Sequence, residues 1–317
     1  MNLSHAYGAS PPADAAERLL LEALDSGVTL FDTAALYGFG ANEALVGRVL
    51  KAHRARIVLC TKGGMTAQPV GPGGALQRVI DGRPAAIRRD CEESLRRLGT
   101  ETIDIFYLHR WDKRVPIEDS VGEMSRLIER GWVRALGLSE VSAATLRRAQ
   151  AVHPIAAVQT EYSPWTRNAE IAVLTACHEI GAAFIAFSPL ARGYLTDAPP
   201  DIAALDAKDI RRGMPRFEPA HWAVNLSLRE QAAALAREAG CTLAQLALAW
   251  ALSRGEQVLA IPGTTSLAHL RENLAAADLA LPAAVLARLD GLVNQRTVSG
   301  ERYSAQSSGE VDTEVFP

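Results

Sequence analysis

The sequence lacks the features that would place the protein in a membrane or in an oxidising compartment. Its four cysteines are far apart, form no CxxC pair and lie in apolar or helical stretches, so we interpret them as reduced core residues. No apolar run reaches the roughly 18 residues that a membrane span needs. The N-terminus shows no charged segment followed by an apolar one. We therefore expect a soluble, cytoplasmic protein.

The charge balance gives no electrostatic reason to expect a nucleic-acid or membrane partner. The chain has 33 basic and 36 acidic residues, a net charge of −3, so it has no excess of positive charge to bind a phosphate backbone or an anionic lipid. Its 317 residues, 48% of them apolar, are enough for one large core. Because α/β barrels of this length are single domains, we predict one domain over 1–317. Nothing in the sequence indicates an oligomeric state.

Short apolar segments alternate with helical ones along the chain. The strand-like segments are rich in Val and Ile, as is typical of strands that are covered on both faces. Strict alternation predicts a parallel sheet with right-handed crossovers, and hence an α/β fold of the (β/α)8 TIM-barrel type. Strands are predicted at 28–33, 57–61, 103–108, 132–138, 155–160, 182–187 and 257–261, and helices at 14–26, 42–53, 84–98, 117–130, 143–151, 168–180, 226–239, 242–253, 266–276 and 282–292.

The predicted strands number seven, whereas an eight-fold barrel would need one more before residue 1. We therefore expect a barrel whose first strand is missing from this chain. Three long stretches, 63–83, 188–225 and the polar tail 297–317, are predicted to be irregular. The first two follow strands, so they are expected on one rim of the barrel as lids or binding loops.

Four polar residues follow apolar runs where strands should end: Asp32, Tyr37, Lys62 and His109. The carboxyl ends of parallel strands share one rim, so we expect these side chains to meet there. The ammonium of Lys62 would stabilise a phenolate and lower the pKa of Tyr37, and Asp32 would pair with Lys62. His109 would donate to a carbonyl oxygen. The set suits protonation of an alkoxide as it develops on a carbonyl, which requires a hydride source such as a nicotinamide cofactor.

Three motifs carry a resemblance to a known family. GVTLFDTAALYGFGANEALVG, CTKGG and YLHRW occur in this order, and from about residue 4 to about residue 290 the chain resembles the aldo-keto reductase family. The resemblance implies that Tyr37 is the general acid of a tetrad with Asp32, Lys62 and His109. It also implies reduction of an aldehyde or ketone with NADPH.

The same resemblance implies where the cofactor would bind. Ser139 and Gln159 match residues that hold the nicotinamide carboxamide, and Phe187 matches an aromatic that stacks on the nicotinamide. The stretch 261–276 resembles the adenosine-phosphate site, and read by itself it is a strand end, a Gly turn and a hydroxyl-rich helix N-terminus, an anion-binding arrangement. The remaining implied cofactor residues are Ser188, Pro189, Leu190, Arg192, Gly193, Ile261, Gly263, Thr264, Ser266, His269, Glu272 and Asn273.

The sequence leaves several alternatives open. Neither Ser266 nor His269 is a Lys or Arg that would neutralise a 2′-phosphate, and only Arg271 is nearby, so NADH remains possible. Trp111 is predicted to line the substrate pocket, and Trp165, Tyr194 and Trp222 are further candidates for its lining, although all four could simply pack in the loops. Two other functions fit: a cofactor-binding regulatory subunit resembling potassium-channel β subunits, or another barrel enzyme, such as a phosphate-binding isomerase or a Schiff-base aldolase using Lys62.

Overall fold

The computed structural model describes residues 1–4, 6–70 and 75–317. Over these residues seven parallel strands form one nearly closed barrel sheet, and all seven were predicted from the sequence. In order around the sheet the strands are β1 (Leu30–Asp32), β2 (Val58–Gly63), β5 (Ile103–Leu108), β6 (Val133–Ser139), β7 (Ile155–Glu161), β8 (Ala183–Phe187) and β9 (Val258–Ile261). A separate antiparallel hairpin consists of β3 (Met65–Val70) and β4 (Ala75–Ile80).

Helices surround this sheet, which confirms the α/β fold and a (β/α)8 barrel that lacks one strand over the described residues. Most of them alternate with the strands along the chain, as predicted. The helices are α1 (Ala13–Asp25), α2 (Ala41–Leu50), α3 (Pro84–Leu98), α4 (Ile117–Glu129), α5 (Ala143–Val152), α6 (Val173–Ile180), α7 (Pro219–Glu238), α8 (Leu243–Leu252), α9 (Leu267–Ala275), α10 (Ala283–Leu292) and α11 (Ala305–Gly309).

The two faces of the strands bury different sets of residues. A large cluster packs one face against the helices, with side chains such as Phe106 from β5 and Leu127 from α4. A small cluster on the other face fills the barrel interior, and it consists of Cys60, Tyr107, Ala157 and Ile185. Because side chains alternate across a strand, the residues two positions further along also face inward. This alternation positions the candidate site.

Inside the barrel, the ring of Tyr107 packs against Gly137. Tyr107 is fully buried in the inner cluster. Gly137, its partner on β6, has no side chain, and a Cβ there would collide with the Tyr107 ring. The absence of a side chain at Gly137 therefore makes room for a tyrosine inside the barrel.

The structure corrects three boundaries. The stretch 63–83 is not irregular, because it contains the β3–β4 hairpin. Pro69 is tolerated there because the hairpin is a two-stranded ribbon. The Gly- and Pro-rich centre of the stretch, 71–74, lies outside the described residues. Helix α7 begins at Pro219, not at 226, because a proline fits the first helical turn. The tail 297–317 includes α11 and packs against the carboxyl ends of the strands.

Two findings concern the expected cellular context. No helix in the described part of the chain is long and apolar enough to cross a membrane. All four cysteines are free thiols, and Cys60, Cys91 and Cys177 are buried. Burial raises the pKa of Cys91 to about 12, which makes it unreactive at neutral pH.

Candidate active site

The inward-facing residues at the carboxyl ends of the strands form one layer above the inner cluster. Asp32 ends β1, Lys62 lies near the end of β2, and His109 follows β5. Each lies two residues beyond a side chain that contributes to or packs against the inner cluster (Leu30, Cys60 and Tyr107). Ser139, Gln159 and Phe187 also belong to this layer, because they lie two residues beyond the inward-facing Gly137, Ala157 and Ile185.

Lys62 is the centre of the site. Its side chain is fully buried, and its Nζ donates to Asp32 Oδ2 at 2.5 Å and to the carbonyl oxygen of Thr33 at 2.8 Å. The same nitrogen lies 3.4 Å from the hydroxyl of Tyr37. The ring of His109 meets the ring of Tyr37 edge-on, with centroids 5.8 Å apart. The structure thus brings together the four residues that the strand-end pattern predicted.

The electrostatics of the tyrosine differ from the prediction. Burial raises the pKa of Tyr37, and this outweighs the opposing effect of Lys62. The predicted net lowering of the Tyr37 pKa is therefore wrong for this structure, although Lys62 acts in the expected direction. Burial also opposes the charge on Lys62, but Asp32 and Tyr37 prevail and raise the pKa of the ammonium. At neutral pH the site holds a charged lysine beside a protonated tyrosine.

His109 is neutral in the same site. Burial lowers its pKa well below the ordinary value, and the neighbouring cations Arg110 and Lys62 lower it further. Its Nδ1 is buried and has no hydrogen-bond partner among the described residues. A neutral imidazole can donate one hydrogen bond to a ligand oxygen without bringing a second positive charge into the site.

Carboxylates on the surrounding helices hold β2 in place. Glu43 of α2 is fully buried and accepts from Thr61 Oγ1 at 2.6 Å and from Arg97 Nε at 2.6 Å. Asp90 of α3 accepts from the backbone N–H of Gly64 at 2.9 Å. The sequence analysis missed these residues, although acidic residues on the apolar faces of amphipathic helices were a usable signal.

The predicted carboxamide-binding residues are joined to the tetrad. Gln159 Nε2 donates to Asp32 Oδ1 at 2.9 Å. Ser139 is buried, and its Oγ accepts from Arg110 Nη1 at 3.2 Å. Arg110 was not singled out from the sequence, although it lies in YLHRW directly after His109. Phe187 is half-buried at the end of β8 and keeps part of its ring accessible.

The segment after β8 has a strained backbone. Ser188, Ala191 and Arg192 have positive φ angles of 49°, 49° and 60°. The guanidinium of Arg192 is buried and donates to Glu161 Oε2 at 2.8 Å. The resemblance implied Arg192 as a cofactor-binding residue, and here its side chain is held by this ion pair. Pro189, Leu190 and Gly193 complete the segment.

The stretch after β9 forms the predicted turn and helix N-terminus. Thr264 Oγ1 accepts from the N–H of Ser266 at 3.0 Å, and Ser266 Oγ caps α9 through the N–H of His269 at 3.4 Å. Asn273 is buried one turn further along, and its Oδ1 has no partner among the described residues. An unsatisfied buried amide oxygen is costly, so this position fits a ligand that donates to it. Ile261, Gly263 and Glu272 lie in the same stretch.

The aromatic residues predicted for the cleft are mostly packed. Trp165 and Tyr194 are buried and stacked with centroids 4.1 Å apart, and Trp222 is buried beside them. The packing alternative is therefore the correct one for these three. Trp111 is half-buried and donates from Nε1 to the carbonyl oxygen of Val115 at 2.9 Å, with the guanidinium of Arg148 5.7 Å from its ring centroid.

The fold and this cluster define an α/β-barrel protein with a tyrosine, a buried lysine, a carboxylate and an imidazole grouped at the carboxyl ends of its strands. A family model described as the aldo/keto reductase family matches residues 1–294, so the chain belongs to that family and is an oxidoreductase. The relationship extends over almost the whole chain.

Solved structures agree with this assignment. A glycerol dehydrogenase from Gluconobacter oxydans is 30% identical with a TM-score of 0.83, and the match covers 93% of this chain and 90% of that one. An aldo/keto reductase from Klebsiella pneumoniae in complex with NADP and acetate is 29% identical with a TM-score of 0.69, over 92% and 89% of the two chains. An aldo-keto reductase from Klebsiella pneumoniae in complex with NADPH is 29% identical with a TM-score of 0.70, over the same shares.

Proposed function

We propose that the protein reduces an aldehyde or ketone to an alcohol with a nicotinamide cofactor, and that Tyr37 is the general acid. The observation that carries this proposal is the contact of the half-buried Tyr37 with the fully buried Lys62, 3.4 Å from hydroxyl to ammonium. It is supported by membership of the aldo/keto reductase family. We further propose a single cytoplasmic domain over 1–317 that acts on a small carbonyl compound.

Each residue of the tetrad has a distinct role in this proposal. Because its pKa is raised, Tyr37 is protonated at neutral pH and can donate its proton as soon as the substrate is bound. Lys62 stabilises the phenolate that forms when the proton leaves, and Asp32 holds the ammonium in position. His109 donates to the substrate oxygen and orients it toward Tyr37.

The chain has suitable positions for a nicotinamide cofactor, which when bound supplies the hydride. Ser139 and Gln159 offer a hydroxyl and an amide in the same layer as the tetrad, and Phe187 offers an aromatic face. Asn273 offers a buried amide oxygen that accepts no hydrogen bond from the residues the structure describes. We propose NADPH as the cofactor, with NADH possible. The NADP and NADPH complexes of the Klebsiella pneumoniae relatives support this choice.

The state of Lys62 argues against a Schiff-base aldolase. A lysine that attacks a carbonyl must be an unprotonated amine, which enzymes achieve by lowering its pKa. Here Asp32 pairs with the ammonium at 2.5 Å, and the Lys62 pKa is raised. Over the described residues no side-chain cluster suited to a metal ion was found either.

The test is turnover with a carbonyl panel. Purified protein should oxidise NADPH in the presence of simple aldehydes, and the panel should include glyceraldehyde because one relative is a glycerol dehydrogenase. Tyr37→Phe should lower kcat by at least about 100-fold, the lower end of general acid–base contributions, while NADPH binding by fluorescence stays nearly unchanged. Wild-type kcat in Tyr37→Phe would show that Tyr37 is not the acid.

A further inference from the structure

A single arginine of the C-terminal tail lies between two buried carboxylates at the ends of neighbouring strands. Arg302 Nη2 donates to Glu140 Oε1 at 2.5 Å, and Arg302 Nε donates to Glu161 Oε2 at 3.0 Å. The Glu140 side chain is fully buried, and that of Glu161 is only 4% exposed. Glu140 directly follows β6, and Glu161 ends β7. The tail therefore supplies the cation for an acidic pair that belongs to the barrel.

Each carboxylate is connected to a strained turn. Glu140 has a positive φ of 57°, a conformation that costs free energy in a residue other than glycine. It directly follows Ser139, a proposed carboxamide-binding residue. Glu161 forms an ion pair with Arg192, whose φ is 60° within the strained segment 188–193. Both turns are segments where we propose that the cofactor binds.

Further contacts tie the tail to the same two turns. The N–H of Asp312 donates to the carbonyl oxygen of Glu140 at 2.9 Å, which holds the turn after β6 through its backbone. The hydroxyl of Tyr303 accepts from Arg192 Nη2 and from Arg302 Nη2, at 3.2 and 3.3 Å. Arg192, Glu161, Arg302 and Glu140 thus form one buried chain of alternating charges.

The loss of Arg302 would affect the two carboxylates unequally. Glu161 would keep Arg192, whereas Glu140 would lose the one cation that pairs with it among the described residues. A buried carboxylate without a cation is strongly unfavourable, so the backbone at Glu140 should relax toward solvent or toward an ordinary φ. Arg192 and Arg302 together overcome the effect of burial and hold the pKa of Glu161 at about 2. One of these two arginines, Arg302, belongs to the tail.

We propose that Arg302 is a positioning residue for cofactor binding: by bridging Glu140 and Glu161 it keeps the turns after β6 and β8 in their binding conformations. This inference rests on the proposed function and extends it to the tail. Arg302 touches none of the four tetrad residues, so it acts on cofactor affinity and not on proton transfer.

The experiment compares three variants. Arg302→Met removes the bonds to Glu140 and to Glu161. Arg302→Lys keeps the charge but cannot bridge two carboxylates with a planar fork. Lys113→Met is the matched control, because Lys113 anchors the same tail through the carbonyl oxygens of Gly309 and Val311 at 3.1 and 2.7 Å and bonds neither carboxylate. The NADPH dissociation constant, kcat at saturating NADPH, and amide hydrogen exchange without cofactor are measured for each, below its melting temperature.

We expect Arg302→Met to raise the NADPH dissociation constant by about tenfold or more, as for loss of charged hydrogen bonds, with kcat within about threefold of wild type. The NADPH dissociation constant of Arg302→Lys should lie between those of wild type and Arg302→Met. That of Lys113→Met should stay within about twofold of wild type. Amide exchange in 139–142 and 188–193 should speed up in Arg302→Met but not in Lys113→Met. The inference is overturned if folded Arg302→Met binds NADPH normally, or if Lys113→Met weakens binding equally.

The exchange measurement separates this inference from the proposed function. If the wild type binds neither NADPH nor NADH, the proposed function fails. The structural part of the inference would then be judged by exchange alone, and unchanged exchange at 139–142 and 188–193 in Arg302→Met would overturn it.

Discussion

The ammonium of Lys62 lies 3.4 Å from the hydroxyl of Tyr37 while the same nitrogen is 2.5 Å from Asp32 Oδ2. The carboxylate keeps the lysine charged in a site where burial alone would favour the neutral amine. The charged lysine then limits the cost of forming a phenolate in that site. The proposed proton transfer from Tyr37, whose pKa is raised, therefore depends on the ion pair between Lys62 and Asp32.

Lys62→Met tests this dependence. Removal of the ammonium removes both the charge and the hydrogen bond by which Lys62 opposes the raised pKa of Tyr37. We expect kcat to fall by about 100-fold or more, a loss typical of a group that stabilises charge in the transition state, and any pH limit assigned to Tyr37 to move to higher pH. Steady-state rates from pH 6 to pH 10 would show both changes. Methionine is close in length to lysine and limits the cavity.

Unchanged kcat in Lys62→Met would mean that the phenolate is stabilised by other groups. Lys51→Met is a suitable control, because Lys51 is exposed on the turn that follows α2. It should leave both the rate and its pH dependence at the wild-type values.

His109 should make the unfolding free energy depend on pH. Its pKa in the folded protein is well below the ordinary 6.5, mainly because of burial. Below pH 6.5 the unfolded chain binds a proton that the folded chain does not, so the unfolding free energy decreases as pH falls through that range. The limit is about 1.4 kcal/mol per pH unit for one group.

Urea unfolding between pH 5 and pH 8 measures this effect. His109→Asn should show a shallower decrease below pH 6.5 than wild type, and the difference between the two curves isolates His109. His178→Asn, on the outer helix α6, should follow the wild-type curve. Parallel curves for wild type and His109→Asn would mean that His109 is not held neutral.

Asn273→Leu tests the proposed adenosine-phosphate site. The Oδ1 of Asn273 is buried and has no hydrogen-bond partner in the described part of the chain, so its removal should cost the free protein little or no stability. If this oxygen accepts from the cofactor, the NADPH dissociation constant should rise by about tenfold, the value of one good hydrogen bond. Fluorescence titration and urea unfolding would be performed together. A stable variant with unchanged affinity would remove Asn273 from the site.

Arg97→Leu tests the support of β2. Its Nε donates to the buried Glu43, which also accepts from Thr61 next to Lys62. Loss of one partner of a buried ion pair costs about 3–5 kcal/mol, and we expect the lower end because the Arg97 side chain is 20% exposed. The double variant with Glu43→Gln should recover part of the loss in urea unfolding. Additive losses would show that the two residues do not act as a pair.

The sequence was sufficient for the elements and residues that follow local periodicity. All seven strands of the barrel were predicted, and Asp32, Tyr37, Lys62 and His109 were placed together, because parallel strands share the direction of their ends and a period of two fixes which side chains face inward. Short local signals also located the Gly turn and the helix N-terminus in 261–276. Membership of the family agrees with these predictions.

The tertiary structure decided what depends on contacts between distant segments. The net pKa shift of Tyr37 is set by the degree of burial, which no local pattern reports. The sequence showed a polar tail, but only folding places Arg302 between Glu140 and Glu161, more than 140 positions away in each case. Local propensity determines strands and helices, whereas the pairing of buried charges depends on which segments the closed barrel brings together.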